Sequence, residues 1–176
     1  MNKFNLLISC SRYNEMNATA EIWFTLLICD DSYPIISNSD YPGLITAATN
    51  ANVREIITKI QQILVKDPNF FKFVLKIIPI DYVCETNLGL IKDIVKNNYA
   101  NYINSHNSIR IEIKRRKSKI IERETLISVI ANLFNNKVNL DSPDKIIRFE
   151  ILGNTTGIAF LEPNSIISVK EKKNQF

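Results

Sequence analysis

Apolar and polar positions alternate along this chain with two periods, and the switches between them outline its elements. Phe4-Asn5-Leu6-Leu7-Ile8 is a short apolar run ending in Ser9-Cys10-Ser11, which predicts a buried strand. Asn14 then offers a cap for a helix over roughly 15–29. The apolar face of this helix reads Met16, Ala20, Trp23 and Leu27, with Ile22 and Leu26 beside it, at spacings of three and four. On this reading Trp23 is a core residue. A turn-rich stretch, Asp30–Gly43, contains a possible edge strand over 33–36, and Leu44–Thr49 reads as another strand. Asn52 stands at capping distance from Glu55, and the helix it opens puts Val53, Ile56, Ile57, Ile60, Ile63 and Leu64 on one stripe before Pro68. Phe71, Phe73, Leu75 and Ile77 alternate with Lys72, Val74 and Lys76, so a strand is expected there, closed by Pro79. Phe70, Phe71 and Phe73 resemble a base-stacking patch, but two of them share a strand face and core packing is the plainer reading. The order β-α-(β)-β-α-β is the ferredoxin-like split βαβ arrangement.

The second half opens with a helix near 87–104, in which Leu88, Ile91, Ile94, Val95, Tyr99, Tyr102 and Ile103 keep helical spacing. Ile109, Ile111 and Ile113 alternate with Arg110, Glu112 and Lys114, which predicts a half-buried strand with a charged outer side. A basic loop over 115–119 and a helix over roughly 122–137 follow. Residues 141–144 form a turn, Ile147, Phe149 and Ile151 a strand, Gly153-Asn154 a turn, and 158–161 and 166–169 two short strands. The expected fold is therefore α/β (α+β) with mixed sheets. Its domains are 1–79 and 80–170, followed by a basic tail, 171–176.

Charge supports a boundary near Pro79. Of the 22 basic and 18 acidic residues in 176, residues 1–79 hold 7 and 7 and residues 80–176 hold 15 and 11, so the whole excess of +4 lies in the second half. Within it, residues 110–123 carry Arg110, Lys114, Arg115, Arg116, Lys117, Lys119 and Arg123 against Glu112 and Glu122. Such a concentration suits a polyanion: cations at a strand end, with backbone donors at the next helix start, can track several phosphates. It also suits a solubilising loop. Arg12 sits where a strand end meets a helix start. There it is placed to reach a phosphate or the neighbouring domain, or simply to pair with Glu15.

Other chemistry finds little footing. No GxxxxGK[ST], GxGxxG or GxSxG is present, and the 4 glycines never cluster. Cys10, Cys29 and Cys84 form no CxxC pair, which argues against a disulfide framework or a four-ligand zinc site. His106, the sole histidine, lies among Asn and Ser and reads as a solvated loop residue. Asp30-Asp31 and Asp141–Asp144 read as turn-makers. No catalytic residue, metal site or cofactor is expected. The absence of a leader-like opening and of any apolar run of about 18 residues predicts a cytoplasmic protein without a membrane span.

Several stretches resemble a known family. They are 5–15 (NLLISCSRYNE), 20–24 (AEIWF), 42–45 (PGLI), 78–80 (IPI), 138–146 (VNLDSPDKI), 151–153 (ILG), 157–159 (GIA) and 166–170 (IISVK), which together span nearly the whole chain. They are similar to the archaeal and eukaryotic THUMP proteins that serve as adaptors in tRNA cytidine N4-acetylation. The resemblance implies an N-terminal ferredoxin-like domain followed by a THUMP domain, the pair gripping the acceptor stem and 3′ end of tRNA. It implies too that a separate RNA cytidine acetyltransferase supplies the chemistry. Lys114, Arg115, Arg116 and Arg123 would then line the RNA groove, with Arg12 contributing from the first domain. Two other readings remain open: a small RNA-modifying enzyme acting without a partner, and a basic protein-interaction module.

Overall fold

The computed structural model describes residues 4–116 and 120–169. The chain divides into two compact units. One joins the residues up to Pro79 with the stretch from Ser165 onward, and the other is Ile80–Asn164.

The first unit contains β1 (Leu6–Cys10), α1 (Glu15–Ile28), β2 (Ile35–Asn38), β3 (Leu44–Ala48), α2 (Val53–Lys66) and β4 (Val74–Pro79). Its sheet has the order β2-β3-β1-β4, extended on the β4 side by β9 (Ile167–Ser168), and all neighbouring pairs are antiparallel. Leu6, Ile8 and Cys10 of β1 point into a core shared with Ile22 and Leu26 of α1 and Ile56, Ile60 and Leu64 of α2. Leu7, on the opposite face, is buried as well, as the unbroken apolar run predicts. The capping expectation for α2 is met: the Asn52 side chain accepts hydrogen bonds from the Arg54 and Glu55 amides, at 2.9 and 3.4 Å. Asn14 does not cap α1 in this way. Its side-chain amide donates to the Arg12 carbonyl instead.

Three expectations for this unit change. β4 starts at Val74 rather than Phe71, where the amides of Lys72, Phe73 and Val74 donate to the Glu21 carboxylate of α1, and its register against β1 slips by one residue between Ser9 and Cys10. That irregularity reverses the in-out parity, so Val74 and Ile77 are both core while Leu75 is half-buried. Phe71 is fully buried ahead of the strand, edge-on to Phe70 at 5.0 Å, which bears out core packing over base stacking. The strand expected over 166–169 within the second domain instead pairs with β4 in the first sheet. The largest change concerns α1. Ala18, Ile22, Thr25 and Leu26 form its buried side, whereas Met16, Trp23 and Phe24 are exposed.

The second unit contains β5 (Tyr82–Glu85), α3 (Leu88–Asn98), a 3₁₀ turn (Tyr99–Asn101), β6 (Ile109–Arg116), α4 (Arg123–Ala131), β7 (Lys145–Leu152) and β8 (Thr155–Leu161). Its sheet, in the order β5-β8-β7-β6, is mixed: β6 and β7 are parallel and the other pairs antiparallel. Parallel neighbours cannot be joined by a hairpin, and the segment carrying α4 makes the crossover. Ile147, Phe149, Ile151, Ile158 and Phe160 build the core with Ile91 and Val95 of α3 and Leu126 and Ile130 of α4. β5 was not foreseen. α4 ends at Ala131 rather than near 137, and Leu133 and Phe134 pack against the core from beyond its end. Gly153, at φ 57°, makes the tight turn between β7 and β8. The expected tail, 171–176, lies outside the described residues. No helix among the described residues is long and apolar enough to cross a membrane.

Candidate nucleic-acid interface

β6 is an edge strand, and its second half is where the charge gathers. Ile109 and Ile113 are buried against the core, while Lys114, Arg115 and Arg116 are exposed at the strand's end. Arg115 and Arg116 are thus strand residues, with register partners Ile151 and Leu152, rather than members of a loop. A strand holds its backbone by ladder hydrogen bonds, so these cations project from a fixed base rather than from a mobile one. The Arg115 guanidinium also donates to the Ile121 carbonyl at 3.3 Å, tying the strand end to the residues just before α4. Arg123 is the first residue of α4 and is exposed. Glu122, its N-cap, makes no capping hydrogen bond through its side chain, which leaves first-turn amides there without a side-chain acceptor from the cap. Lys117 and Lys119 lie outside the described residues.

Arg110 differs from its neighbours. Its guanidinium is bound to Glu112 at 2.6 Å and donates to the Leu140 carbonyl at 2.7 Å. Glu112 in turn pairs with Arg148 of β7 at 2.5 Å, and Arg148 pairs with Glu150 at 2.7 Å. The four side chains form a ladder across β6 and β7, alternating in sign, with Arg148 and Glu150 almost wholly buried. Arg110 is therefore committed to an internal network and sits apart from the exposed cations. The sequence reading noted the apolar residues of β7 and passed over Arg148 and Glu150 between them. The available signal was the matching Arg-x-Glu spacing at Arg110-Glu112 and Arg148-Glu150 on adjacent strands.

The foot of β6 is clamped by Asp144. Its carboxylate accepts from the Ser108 amide and hydroxyl, both at 2.7 Å, and these bonds hold its pKa below the usual carboxylate value. The sharp turn expected over 141–144 thus fixes where β6 begins.

Arg12 belongs to the first unit. It is exposed, between the end of β1 and Tyr13, which has a φ of 65°. Glu15 does not take up the pairing the sequence left open. Its carboxylate accepts from the Gly43 amide at 2.6 Å, which lowers its pKa. Gly43 (φ 76°) runs so close to β1 that a Cβ there would lie 2.9 Å from the Cys10 carbonyl and 3.6 Å from Cγ of Arg12. The Pro42-Gly43 turn therefore supports the segment that presents Arg12.

The remaining polar chemistry is quiet. Burial pushes the Cys84 thiol up to about 11 and raises that of Cys29, so neither is a thiolate at neutral pH. His106 is exposed in a turn. Among the described residues no group of three or more His, Cys, Asp or Glu stands ready to hold a metal.

Comparison with known proteins places the second unit. Residues 85–161 match the family described as THUMP domain. No curated protein matches the chain significantly. Among solved structures, PH1313 from Pyrococcus horikoshii is similar with a TM-score of 0.64 at 16% identity, over 94% of this chain and 55% of that one. TrmN from Thermus thermophilus is similar with a TM-score of 0.58 at 9% identity, over 90% and 46%. A 4-thiouridine synthetase, solved with RNA and ATP, is similar with a TM-score of 0.55 at 10% identity, over 94% and 42%. At these identities the likeness is one of fold, and this chain spans about half the length of each. Residues 85–161, which run from the last residue of β5 through β8 and carry the exposed cations of β6 and α4, are a THUMP domain.

Proposed function

We propose that this protein is a tRNA-binding adaptor. In this reading it holds the acceptor stem and 3′ end and presents the tRNA to a separate RNA cytidine acetyltransferase for N4-acetylation. It carries out no chemistry itself. The observation that carries the reading is the group of exposed cations on rigid elements of the THUMP domain: Lys114, Arg115 and Arg116 at the end of β6, and Arg123 at the start of α4. Cations fixed on a strand and a helix start give phosphates several partners at once, and the first-turn amides of α4 add neutral donors. Arg12, in the N-terminal unit that we read as ferredoxin-like, supplies a further cation. The acetyltransferase as partner follows from the sequence resemblance.

A second reading has its own support. The similar structures include proteins named as a 4-thiouridine synthetase and a putative methyltransferase, so an RNA-modifying enzyme acting without a partner is the alternative. Both of those chains are more than twice as long as the part this chain resembles. The two readings separate in one experiment. The purified chain is incubated with tRNA and each common donor, with and without the acetyltransferase, and nucleosides are read by mass spectrometry. N4-acetylcytidine formed only with the enzyme, and faster when this chain is present, is the expected result. A modified nucleoside formed by this chain alone would overturn the adaptor reading.

A further inference from the structure

Tyr13 stands where neither backbone preference nor packing puts a tyrosine. The Asn14 amide donates to the Ser11 carbonyl at 3.1 Å, closing a turn with Arg12 and Tyr13 at its centre. Tyr13 has a φ of 65°, a conformation that suits glycine or asparagine and is costly for a bulky side chain. One other non-glycine residue among those described has a positive φ, Asp30 at 71°, and aspartate enters that region far more readily. The Tyr13 ring adds nothing to the core, since it is 94% exposed.

The turn is held on both sides. Before it, the Cys10 amide donates to the Gly43 carbonyl at 3.0 Å, and after it the Gly43 amide donates to the Glu15 carboxylate at 2.6 Å. The Asn14 side-chain amide donates to the Arg12 carbonyl within it. With Glu15 taken up by Gly43, the Arg12 guanidinium has no hydrogen bond or ion pair among the described residues. A braced turn therefore presents an unpacked aromatic ring beside an unpaired cation, and bracing lowers the ordering cost of binding. The two groups match one nucleotide, whose base stacks on an aromatic face while its phosphate meets a guanidinium. A paired base is already stacked within its helix, so the nucleotide is an unpaired one. A protein partner needs a broad surface, roughly 800 Å² on each side, whereas this turn offers one ring and one cation.

We propose that Tyr13 is a base-stacking residue, taking an unpaired nucleotide of the bound RNA on its ring while Arg12 meets the adjoining phosphate. The place rests on the turn. The class of ligand rests on the tRNA-binding reading above. Arg12 then supplies a part of the affinity that salt weakens, and Tyr13 a part that salt does not screen.

The test uses the full chain with purified tRNA as the probe and a blunt RNA duplex as the control. Tyr13→Ala is expected to bind tRNA about five- to tenfold more weakly, with an unchanged slope of log affinity against log salt. Arg12→Ala should make that slope shallower by about one. Tyr13→Phe keeps the ring and should bind within about twofold of the unaltered chain. Tyr13→Gly should lose tRNA affinity as the alanine variant does, while its thermal midpoint holds or rises, because glycine relieves the backbone. The blunt duplex should not distinguish Tyr13→Ala from the unaltered chain. Unchanged tRNA affinity in Tyr13→Ala, an equal loss in Tyr13→Phe, or an equal loss on the blunt duplex would overturn the proposal. So would a slope that falls as in Arg12→Ala, since Tyr13 would then act by positioning Arg12. A lower thermal midpoint in Tyr13→Gly would overturn it as well, by making the ring part of the fold. These outcomes strike Tyr13 and leave the tRNA-binding reading standing. Failure of the unaltered chain to bind tRNA would strike that reading itself, and this proposal with it.

Discussion

At the scale of single residues, arginines a few positions apart do different work, and their partners decide which. Arg148 is 6% exposed, between Glu112 and Glu150, while Arg116 is exposed at the strand end. Removing one member of a buried ion network leaves the others as uncompensated charge. Arg148→Met is therefore expected to cost about 3–5 kcal/mol, read as a lower urea midpoint. Arg116→Ala should change stability by no more than about 0.5 kcal/mol, as for an exposed site. Equal costs would contradict the ladder. Asp144 gives a pH prediction. Its folded pKa is depressed by Ser108, so its contribution is fully present above the ordinary value of 3.8 and is lost as pH falls through the lower folded value. Glu15, depressed by Gly43, acts with the same sign. Thermal midpoints should fall as pH drops from about 5 towards 2, less steeply in Asp144→Asn. An equally steep fall in that variant would remove Asp144 from the account. Sequence spacing located the exposed cations of the 110–123 segment, but it could not separate Arg110 from Lys114, because a ladder partner on another strand is invisible along the chain.

At the scale of elements, sequence reading succeeded where one stripe dominates and failed where two compete. α2 has a single apolar stripe and a capping Asn52, and both its place and its buried residues came out as expected. α1 has two stripes. Periodicity reports that each exists but not which one meets the sheet, and Trp23, assigned to the core, is half exposed. The in-out parity of β4 changes at a register slip that no local pattern announces, and β5, four residues long, is defined by its pairing with β8. β9 joins the first sheet through contacts nearly a hundred residues away in sequence, which propensity cannot reach. Turn chemistry carries a further prediction. Gly43→Ala places a Cβ 2.9 Å from the Cys10 carbonyl at a φ of 76°, so the Pro42-Gly43 turn must shift. A loss of about 1–3 kcal/mol is expected. An unchanged thermal midpoint would show that the turn does not brace the Arg12 segment.

At the scale of the whole molecule, charge is partitioned along with structure. The first 79 residues are balanced and the rest carry the excess, and the segment from Asp81 to Leu161 builds a sheet whose exposed strand end gathers the cations. The candidate site was legible as a charge pattern because phosphate binding needs only cations in number and proximity. Its rigidity was not legible, since it depends on Arg115 and Arg116 lying in β6 rather than in a loop. The most direct test measures tRNA affinity as salt is raised, for the unaltered chain and for Lys114→Ala/Arg115→Ala/Arg116→Ala. The account predicts a linear fall of log affinity with log salt. The variant should bind about tenfold or more weakly, with a slope shallower by roughly two to three. Identical affinity and slope in the two proteins, or no binding to tRNA even in dilute buffer, would contradict it.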